Sequence, residues 1–175
     1  MAALLPRPSR EAADRTAAAR RQAILAPLLA LGLLSADLEF SPAAAFQRDT
    51  LTIETEAGAS HRFDIEVAVD PADRSRGLMF RQSMPADHGM LFDFERAQPI
   101  TMWMRNTVLP LDMLFIEESG RVAWIAADTT PFSEALIEAP VPVRAVLELN
   151  AGTAKRLGIA PGARVVHKLF AARPG

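Results

Sequence analysis

From residue 50 onward, apolar and polar residues alternate with a period of two, the pattern of half-buried β-strands. In HRFDIEVAV, residues 61–69, four apolar residues share one face and charged residues occupy the other. The preceding run TLTIET, residues 50–55, repeats this alternation, and Gly58 lies in the link. The pattern therefore predicts a β-hairpin at the start of a β-rich domain.

Further strands are predicted at residues 90–94, 100–104, 111–117, 121–127, 143–149 and 163–170. Only two helices are predicted, and both are short. The first follows Asp70-Pro71, an N-cap before a proline at the first helical position, and closes at Gly77. The second begins at Asn150, as its N-cap, and ends near Gly158.

The segment 128–142 contains three prolines, which is too many for a central strand, so it is predicted to be an ordered loop over one end of the sheet. Strands outnumber helices, and no strand alternates with a long helix. The predicted fold class is mostly β, or β-rich α+β. It is a compact antiparallel barrel- or sandwich-like single domain with two short helices.

The first 45 residues have the layout of a secretory signal peptide. Five arginines precede the apolar stretch AILAPLLALGLLSA, residues 23–36, and three alanines stand at residues 43–45. The stretch is shorter than the roughly 20 residues that span a bilayer. We expect residues 1–45 to be removed and residues 46–175 to form an exported, periplasmic mature domain. An uncleaved N-terminal membrane anchor is the alternative, and the Sec and twin-arginine routes both stay open.

Composition excludes several classes of chemistry. The chain has no cysteine, which removes disulfides, thiolate metal sites and thiol nucleophiles. Its formal net charge is −2 and it has no basic tract, so no nucleic-acid partner is expected. The three histidines are far apart, and the sequence has no glycine-rich phosphate loop or nucleophile elbow. No cofactor is therefore predicted.

Asp112 is the most informative polar residue, because it lies in the apolar run PLDMLFI and neither face of that strand is polar. A buried carboxyl group must be paired, hydrogen-bonded or protonated. Arg81 or Arg105 is the expected partner, with Asn106 and Thr107 as hydrogen-bond donors. The group is either a structural clamp or a site carboxylate that accepts a proton or binds a ligand.

Six of the seven methionines fall within residues 79–113. Thioethers are soft ligands that suit Cu(I), and Met90, Met102 and Met104 are the candidate set. Methionine also fills irregular gaps in apolar cores, which is the alternative interpretation.

Two more groups of residues are candidates for a surface site. Trp103 and Arg105 form either a ligand platform or a pair packed under the proline-rich segment. Arg144 and Glu148 share one strand face with Asn150, as a surface ion pair or as the rim of a cleft.

Four ordered motifs resemble the DUF192 family of bacterial and archaeal proteins. They are RGLMFR at 76–81, GMLFDF at 89–94, MWMRNTVLPLD at 102–112 and VLELNAGTAKRLGI at 146–159. The resemblance spans about residues 50–170 and implies a compact β-rich domain, often exported or membrane-anchored, with no established activity. Two positions depart from the family pattern: Met102 replaces an expected aromatic residue, and Arg105 replaces a common lysine.

Taken together, these features predict an exported single-domain binding or accessory protein for a small molecule or a protein partner. Its predicted site comprises Arg81, Trp103, Arg105, Asn106 and Asp112. A hydrolase-like enzyme, with Asp112 or Glu148 as general base, is the first alternative. A methionine-based Cu(I) carrier is the second, so the sequence leaves open whether the protein is an enzyme.

Overall fold

The computed structural model describes residues 45–171. The predicted signal segment lies outside the described residues, apart from its last residue, and stays a prediction. No helix within the described range is long and apolar enough to cross a membrane.

Nine strands, two short α-helices and one 3₁₀ turn follow one another in residues 45–171. They are β1 Gln47–Glu54, β2 Ser60–Ala68, α1 Pro71–Arg76, β3 His88–Gln98, β4 Thr101–Met102, β5 Leu111–Ile116, β6 Val122–Ala126, β7 Ile137–Glu138, β8 Val143–Asn150, α2 Thr153–Leu157, β9 Arg164–Val166 and the 3₁₀ turn Lys168–Phe170.

Seven of these strands form one sheet in the order β6-β5-β8-β3-β2-β1-β9. The two edge strands approach each other, since the Val122 amide donates to the Ala163 carbonyl at 2.8 Å and the Val165 amide donates to the Gly120 carbonyl at 2.8 Å. The sheet is therefore a nearly closed barrel, which confirms the predicted β-rich, barrel-like fold.

One pair within the sheet differs from the antiparallel expectation. Strands β2 and β3 run parallel, with Asp64 opposite His88 and Ala68 opposite Phe92. Parallel neighbours need a crossover rather than a tight turn. Helix α1 and residues 77–87 provide that crossover, and this places α1 beside the central strands.

The apolar residues pack in two layers. The first layer draws side chains from all seven strands and fills the barrel; it includes Ile53, Phe63, Leu91 and Leu147. The second layer, here called the outer core, covers the opposite face of β3, β5 and β8 and includes Met90, Phe92, Met113, Phe115 and Val146. Two buried faces explain why β5 is apolar at every position except Asp112 and why β8 is buried at every position except its last.

Helix α1 has the predicted ends. The Asp70 side chain accepts a hydrogen bond from the Asp73 amide at 2.8 Å, Pro71 occupies the first turn, and Gly77 closes the helix at φ 45°. The prediction that Asn150 caps α2 is wrong. Gly152 holds the N-cap position, whereas Asn150 ends β8 and donates from Nδ2 to the carbonyls of Met84 and Pro85, at 3.0 and 3.1 Å.

Three other predicted elements differ in extent. The strand expected at 100–104 is only Thr101–Met102, and the strand expected at 163–170 divides into β9 and the 3₁₀ turn. The proline-rich segment 128–142 contains strand β7, which pairs with β4. A two-residue strand lies between the prolines and uses few backbone donors, so proline is compatible with it.

Candidate functional site

An open cleft of about 400 Å³ lies over the outer face of β3 and β8, between α1 and residues 101–107. Its walls are apolar or aromatic and are formed by Leu78, Met79, Phe92, Phe94, Met102 and Trp103. Its polar side chains are Arg74, Ser75, Arg76, Thr101, Arg105, Thr107 and Glu148. Glu148 and Phe92 are buried, whereas Trp103 is 43% exposed. The cleft therefore has a buried base at Glu148 and an exposed mouth at Trp103.

Glu148 occupies the centre of the sheet. It lies on β8 opposite Met90 of β3 and Met113 of β5, and it is 4% exposed. Within residues 45–171 its carboxyl group makes no hydrogen bond and no ion pair. Burial raises the pKa of Glu148 from 4.5 to about 8, because desolvation penalises the charged form. The carboxyl group is therefore mainly protonated at neutral pH and can donate or accept a hydrogen bond.

Helix α1 supplies two of the arginines at the mouth. Arg74 donates from Nη1 to the Val69 carbonyl and to the Asp93 carbonyl, the latter at 2.9 Å, and its guanidinium lies 5.4 Å from the Phe94 ring centre. Arg76 pairs with Asp73 at 2.8 Å and stacks on Phe46 at 4.0 Å. These contacts fix both side chains at the wall of the cleft.

The turn after β4 supplies the other side of the mouth. The Asn106 carbonyl accepts a hydrogen bond from the Phe80 amide at 2.9 Å, and the Thr107 carbonyl accepts one from the Phe132 amide at 3.1 Å. Asn106 itself has a left-handed backbone at φ 57°. These hydrogen bonds hold the turn between residues 80 and 132. The turn carries Trp103 at the mouth of the cleft, and the Arg105 guanidinium lies 5.3 Å from the centre of its ring.

Asp112 is fully buried, as predicted, but its expected partners are wrong. Its Oδ1 accepts from the Asp128 amide at 3.0 Å and its Oδ2 accepts from the Ala154 amide at 2.8 Å. Arg81 instead pairs with Glu66, and Arg105 lies 3.9 Å from Glu134. Since β8 pairs with β5, the chain leaving β8 begins α2 directly beside Asp112, and the backbone supplies the donors.

The five residues of the predicted site do not all lie at one site. Trp103 and Arg105 line the cleft, and Asn106 lies next to it, where its Nδ2 is 3.8 Å from the Met79 sulfur. Arg81 lines a different cavity of about 570 Å³, beside Glu66 and Met84. Asp112 is not among the residues that line either cavity.

The candidate copper ligands have different environments. Met90 and Met104 are 0% exposed in the outer core, and Met102 is half-buried at the cleft. Met102 and Met104 do not lie on one strand, because β4 ends at Met102. The Met104 sulfur accepts a hydrogen bond from the Thr129 hydroxyl at 3.2 Å. This packing agrees with the core-filling interpretation, while copper binding stays untested.

The expected surface pair of Arg144 and Glu148 is also wrong. Arg144 is 7% exposed, and its guanidinium lies 3.6 Å from Asp93 and 3.6 Å from Glu118. Its ion-pair partners are therefore these two carboxylates and not Glu148. The outer core covers this face of β8, which is why residues that alternate as polar surface in the sequence are buried.

One group of metal-ligating side chains was missed by the sequence analysis. Asp64, Asp87 and His88 each place a ligand atom within 4.8 Å of the others. His88 Nδ1 also lies 2.8 Å from Asp87 Oδ1. The parallel pairing of β2 and β3 brings Asp64 beside His88, and alternation alone does not reveal a parallel pairing. These exposed groups could hold a divalent cation.

The fold and the cleft define a small β-barrel domain with a lateral pocket over its central strands. The chain belongs to the DUF192 family, described as "Uncharacterized ACR", whose model matches residues 52–167. No functionally curated protein matches it.

Two solved structures are similar to the chain. A Sinorhizobium meliloti 1021 protein, described as a proposed transcription regulator, is 48% identical; the match covers 71% of this chain and 96% of that one, with a TM-score of 0.70. A Novosphingobium aromaticivorans DSM 12444 protein of unknown function is 40% identical, with 72% and 89% covered and a TM-score of 0.68.

Proposed function

We propose that the protein is a binding module that takes a small organic molecule into the cleft above β3 and β8. The observation that carries this proposal is Glu148, a buried carboxyl group without a polar partner that opens into the cleft. A carboxyl group that the protein surrounds with apolar side chains and does not hydrogen-bond is unfavourable to keep. A ligand that hydrogen-bonds to Glu148 accounts for keeping such a group in the outer core.

The remaining lining supports the same proposal. Small-molecule sites commonly measure about 300–1,000 Å³ and combine apolar walls with a few polar groups. The cleft fits this description, with Phe92 and Phe94 as aromatic walls. Trp103 and Arg105 are exposed at the mouth, where a ligand can stack on them.

The test is a fragment screen read by thermal shift and by tryptophan fluorescence. Compounds that bind in the cleft raise the melting temperature of the natural protein. The same shifts should be lost or reduced in Glu148→Gln and in Trp103→Ala. Arg121→Gln is the matched control, because Arg121 is 61% exposed and does not line the cleft. The proposal fails if a chemically broad set gives no shift, or if all shifts persist in both cleft variants.

A second candidate function is proton-transfer catalysis at the same residue. Burial raises the pKa of Glu148 to about 8, close to neutral pH, where a general acid or base works best. Asp112 is the weaker catalytic candidate, because both of its oxygens already accept hydrogen bonds from backbone amides. Ester, amide and glycoside model substrates should be assayed with the natural protein and with Glu148→Gln. Turnover that survives in Glu148→Gln rules out this role.

We also propose that the protein is exported and acts in the periplasm. The support is the arginine-rich start, the apolar stretch 23–36 and the alanines at 43–45. Amino-terminal sequencing of the protein from its native host tests this proposal. A mature chain that begins near Phe46 is expected, whereas an intact amino terminus on membrane-bound protein favours an anchor.

Nucleic acid is not among the proposed partners. The S. meliloti relative is described as a regulator of transcription, and such proteins commonly present a basic surface to DNA. This chain has a formal net charge of −2 and no basic tract. A gel-shift assay with random-sequence duplex DNA at low salt is expected to show no complex.

A further inference from the structure

We propose that the ligand of the cleft is a small zwitterion, with a cationic nitrogen group on Glu148 at the base and an anionic group on the arginines at the mouth. This inference rests on the proposed binding function and specifies the chemical class that the site takes.

The acidic and the basic groups of the cleft lie at its two ends. Among the lining residues within positions 45–171, Glu148 is the only one with a carboxyl group, and it lies at the buried base. The other charged groups of the lining are Arg74, Arg76 and Arg105. A simple anion offers no cation to balance the carboxylate form of Glu148, and a simple cation offers nothing to the guanidinium groups at the mouth. A molecule with both charges satisfies both ends.

The mouth arginines differ in how firmly they are already engaged. Arg74 donates to two backbone carbonyls and stacks on Phe94, and Arg76 pairs with Asp73 and stacks on Phe46. Arg105 is 53% exposed and lies 3.9 Å from Glu134, which is 73% exposed. Exposed pairs of this kind contribute little. Arg105 is therefore the residue that can turn its guanidinium to a ligand anion.

The walls suit the cationic end and the body of such a ligand. Aromatic faces attract ammonium and guanidinium groups, and the attraction grows as the cation is desolvated. Phe92 is 2% exposed at the depth of Glu148, and Phe94 and Trp103 continue the aromatic wall outward. Met79 and Met102 complete an apolar passage, which matches a hydrocarbon body between the two charges.

Binding of this ligand class is coupled to loss of a proton. Burial holds the pKa of Glu148 at about 8, so the empty cleft keeps the carboxyl protonated at pH 7. A cationic N–H group that donates to Glu148 stabilises the carboxylate. The O–H bond of the carboxyl then breaks, and the proton passes to buffer. The release, of up to about one proton per ligand, comes from Glu148.

The experiment is titration calorimetry at pH 7 with defined probes. The series γ-aminobutyrate, δ-aminovalerate and ε-aminocaproate varies the spacing of the two charges. Caproate and hexylamine each keep one charge of the longest member. Each titration is run in phosphate and in Tris, since these buffers differ in ionisation heat and the difference reports proton release.

We expect at least one amino acid of the series to bind roughly 10- to 100-fold more tightly than either single-charge probe, with a buffer-dependent heat. Glu148→Gln should remove the buffer dependence and weaken binding by a similar factor. Arg105→Gln should weaken binding but leave the proton release intact. Arg121→Gln is the matched control and should behave as the natural protein.

Two outcomes overturn the inference. In the first, caproate or hexylamine binds as tightly as the amino acids, or the amino acids bind without proton release. In the second, no member of the series binds although the fragment screen finds other compounds for the cleft. Both leave the proposed binding function standing, whereas a fragment screen without hits removes the function and the inference together.

Discussion

Two carboxyl groups are buried on adjacent strands of the same sheet, and their surroundings differ completely. Asp112 on β5 is 0% exposed and accepts hydrogen bonds from two backbone amides, at 3.0 and 2.8 Å. Glu148 on β8 is 4% exposed, has no polar partner in residues 45–171, and opens into a cleft. Burial alone therefore does not mark a candidate site, and the contrast between the two groups is whether the protein itself supplies hydrogen-bond partners.

The difference arises from which face of the sheet each residue occupies. Asp112 shares a face with Leu114 and Ile116 of the barrel interior, where α2 begins and offers an amide at Ala154. Glu148 lies on the outer face between Met90 and Met113, which offer no strong hydrogen-bond donors. Backbone amides satisfy the hydrogen-bonding capacity of Asp112, whereas only a ligand or a bound water can satisfy that of Glu148.

The largest effect is expected from Asp112→Ala. The substitution removes both acceptors, so the buried amide of Ala154 and the partly exposed amide of Asp128 lose their partner. Two hydrogen bonds and the packing of a fully buried side chain are lost together, so the free energy of unfolding should fall by about 3–5 kcal/mol. Urea denaturation followed by circular dichroism measures this change.

Asp112→Asn is the matched comparison, because it keeps the shape and one carbonyl acceptor. Its effect should be about half as large. If Asp112→Ala is as stable as the natural protein, the structural role of Asp112 is wrong, and the contrast with Glu148 disappears.

Glu148→Gln should have the next largest effect, and its sign depends on pH. The folded protein binds a proton at Glu148 between pH 4.5 and about 8, whereas the unfolded chain has released it. Stability contributed by this group is therefore present below pH 4.5 and is lost as pH rises toward 8. From pH 4.5 to 7 the loss amounts to roughly 3 kcal/mol.

Because glutamine does not titrate, Glu148→Gln should become more stable relative to the natural protein by about that amount over the same range. Melting curves at half-unit steps of pH measure the difference. Glu134→Gln, which removes a mostly exposed carboxyl group, is the control. A pH-independent difference between Glu148→Gln and the natural protein means that Glu148 has a partner in the folded state.

The contrast also shows how far the sequence predicts this molecule. Period-two alternation located the main strands, since each barrel strand turns one face to the interior. The Asp70-Pro71 start and the Gly77 end located α1, because these residues act through local backbone geometry. Alternation also marked Asp112 as buried.

What the sequence could not supply is the identity of distant partners. The donors to Asp112 are backbone amides 16 and 42 residues away, and a backbone amide has no signature in residue type. The parallel pairing of β2 and β3 depends on the path of α1 across the sheet. Glu148 alternated with apolar residues like a surface carboxylate, since nothing in β8 itself reveals the outer core that covers it.

The smallest effect on stability is expected from Trp103→Ala. This variant tests whether the mouth of the cleft takes part in ligand binding. Trp103 is 43% exposed, and its ring lies against the guanidinium of Arg105, so its removal should cost less than about 1 kcal/mol. Trp124→Ala is the control, since that ring packs on Phe115 with ring centres 5.1 Å apart and should cost more, about 2 kcal/mol. Compounds that stabilise the natural protein should still stabilise Trp124→Ala but not Trp103→Ala. If Trp103→Ala unfolds the domain, or binds these compounds normally, Trp103 does not contribute to the binding site. Glu148 is then the one residue whose surroundings separate the cleft from the buried position of Asp112.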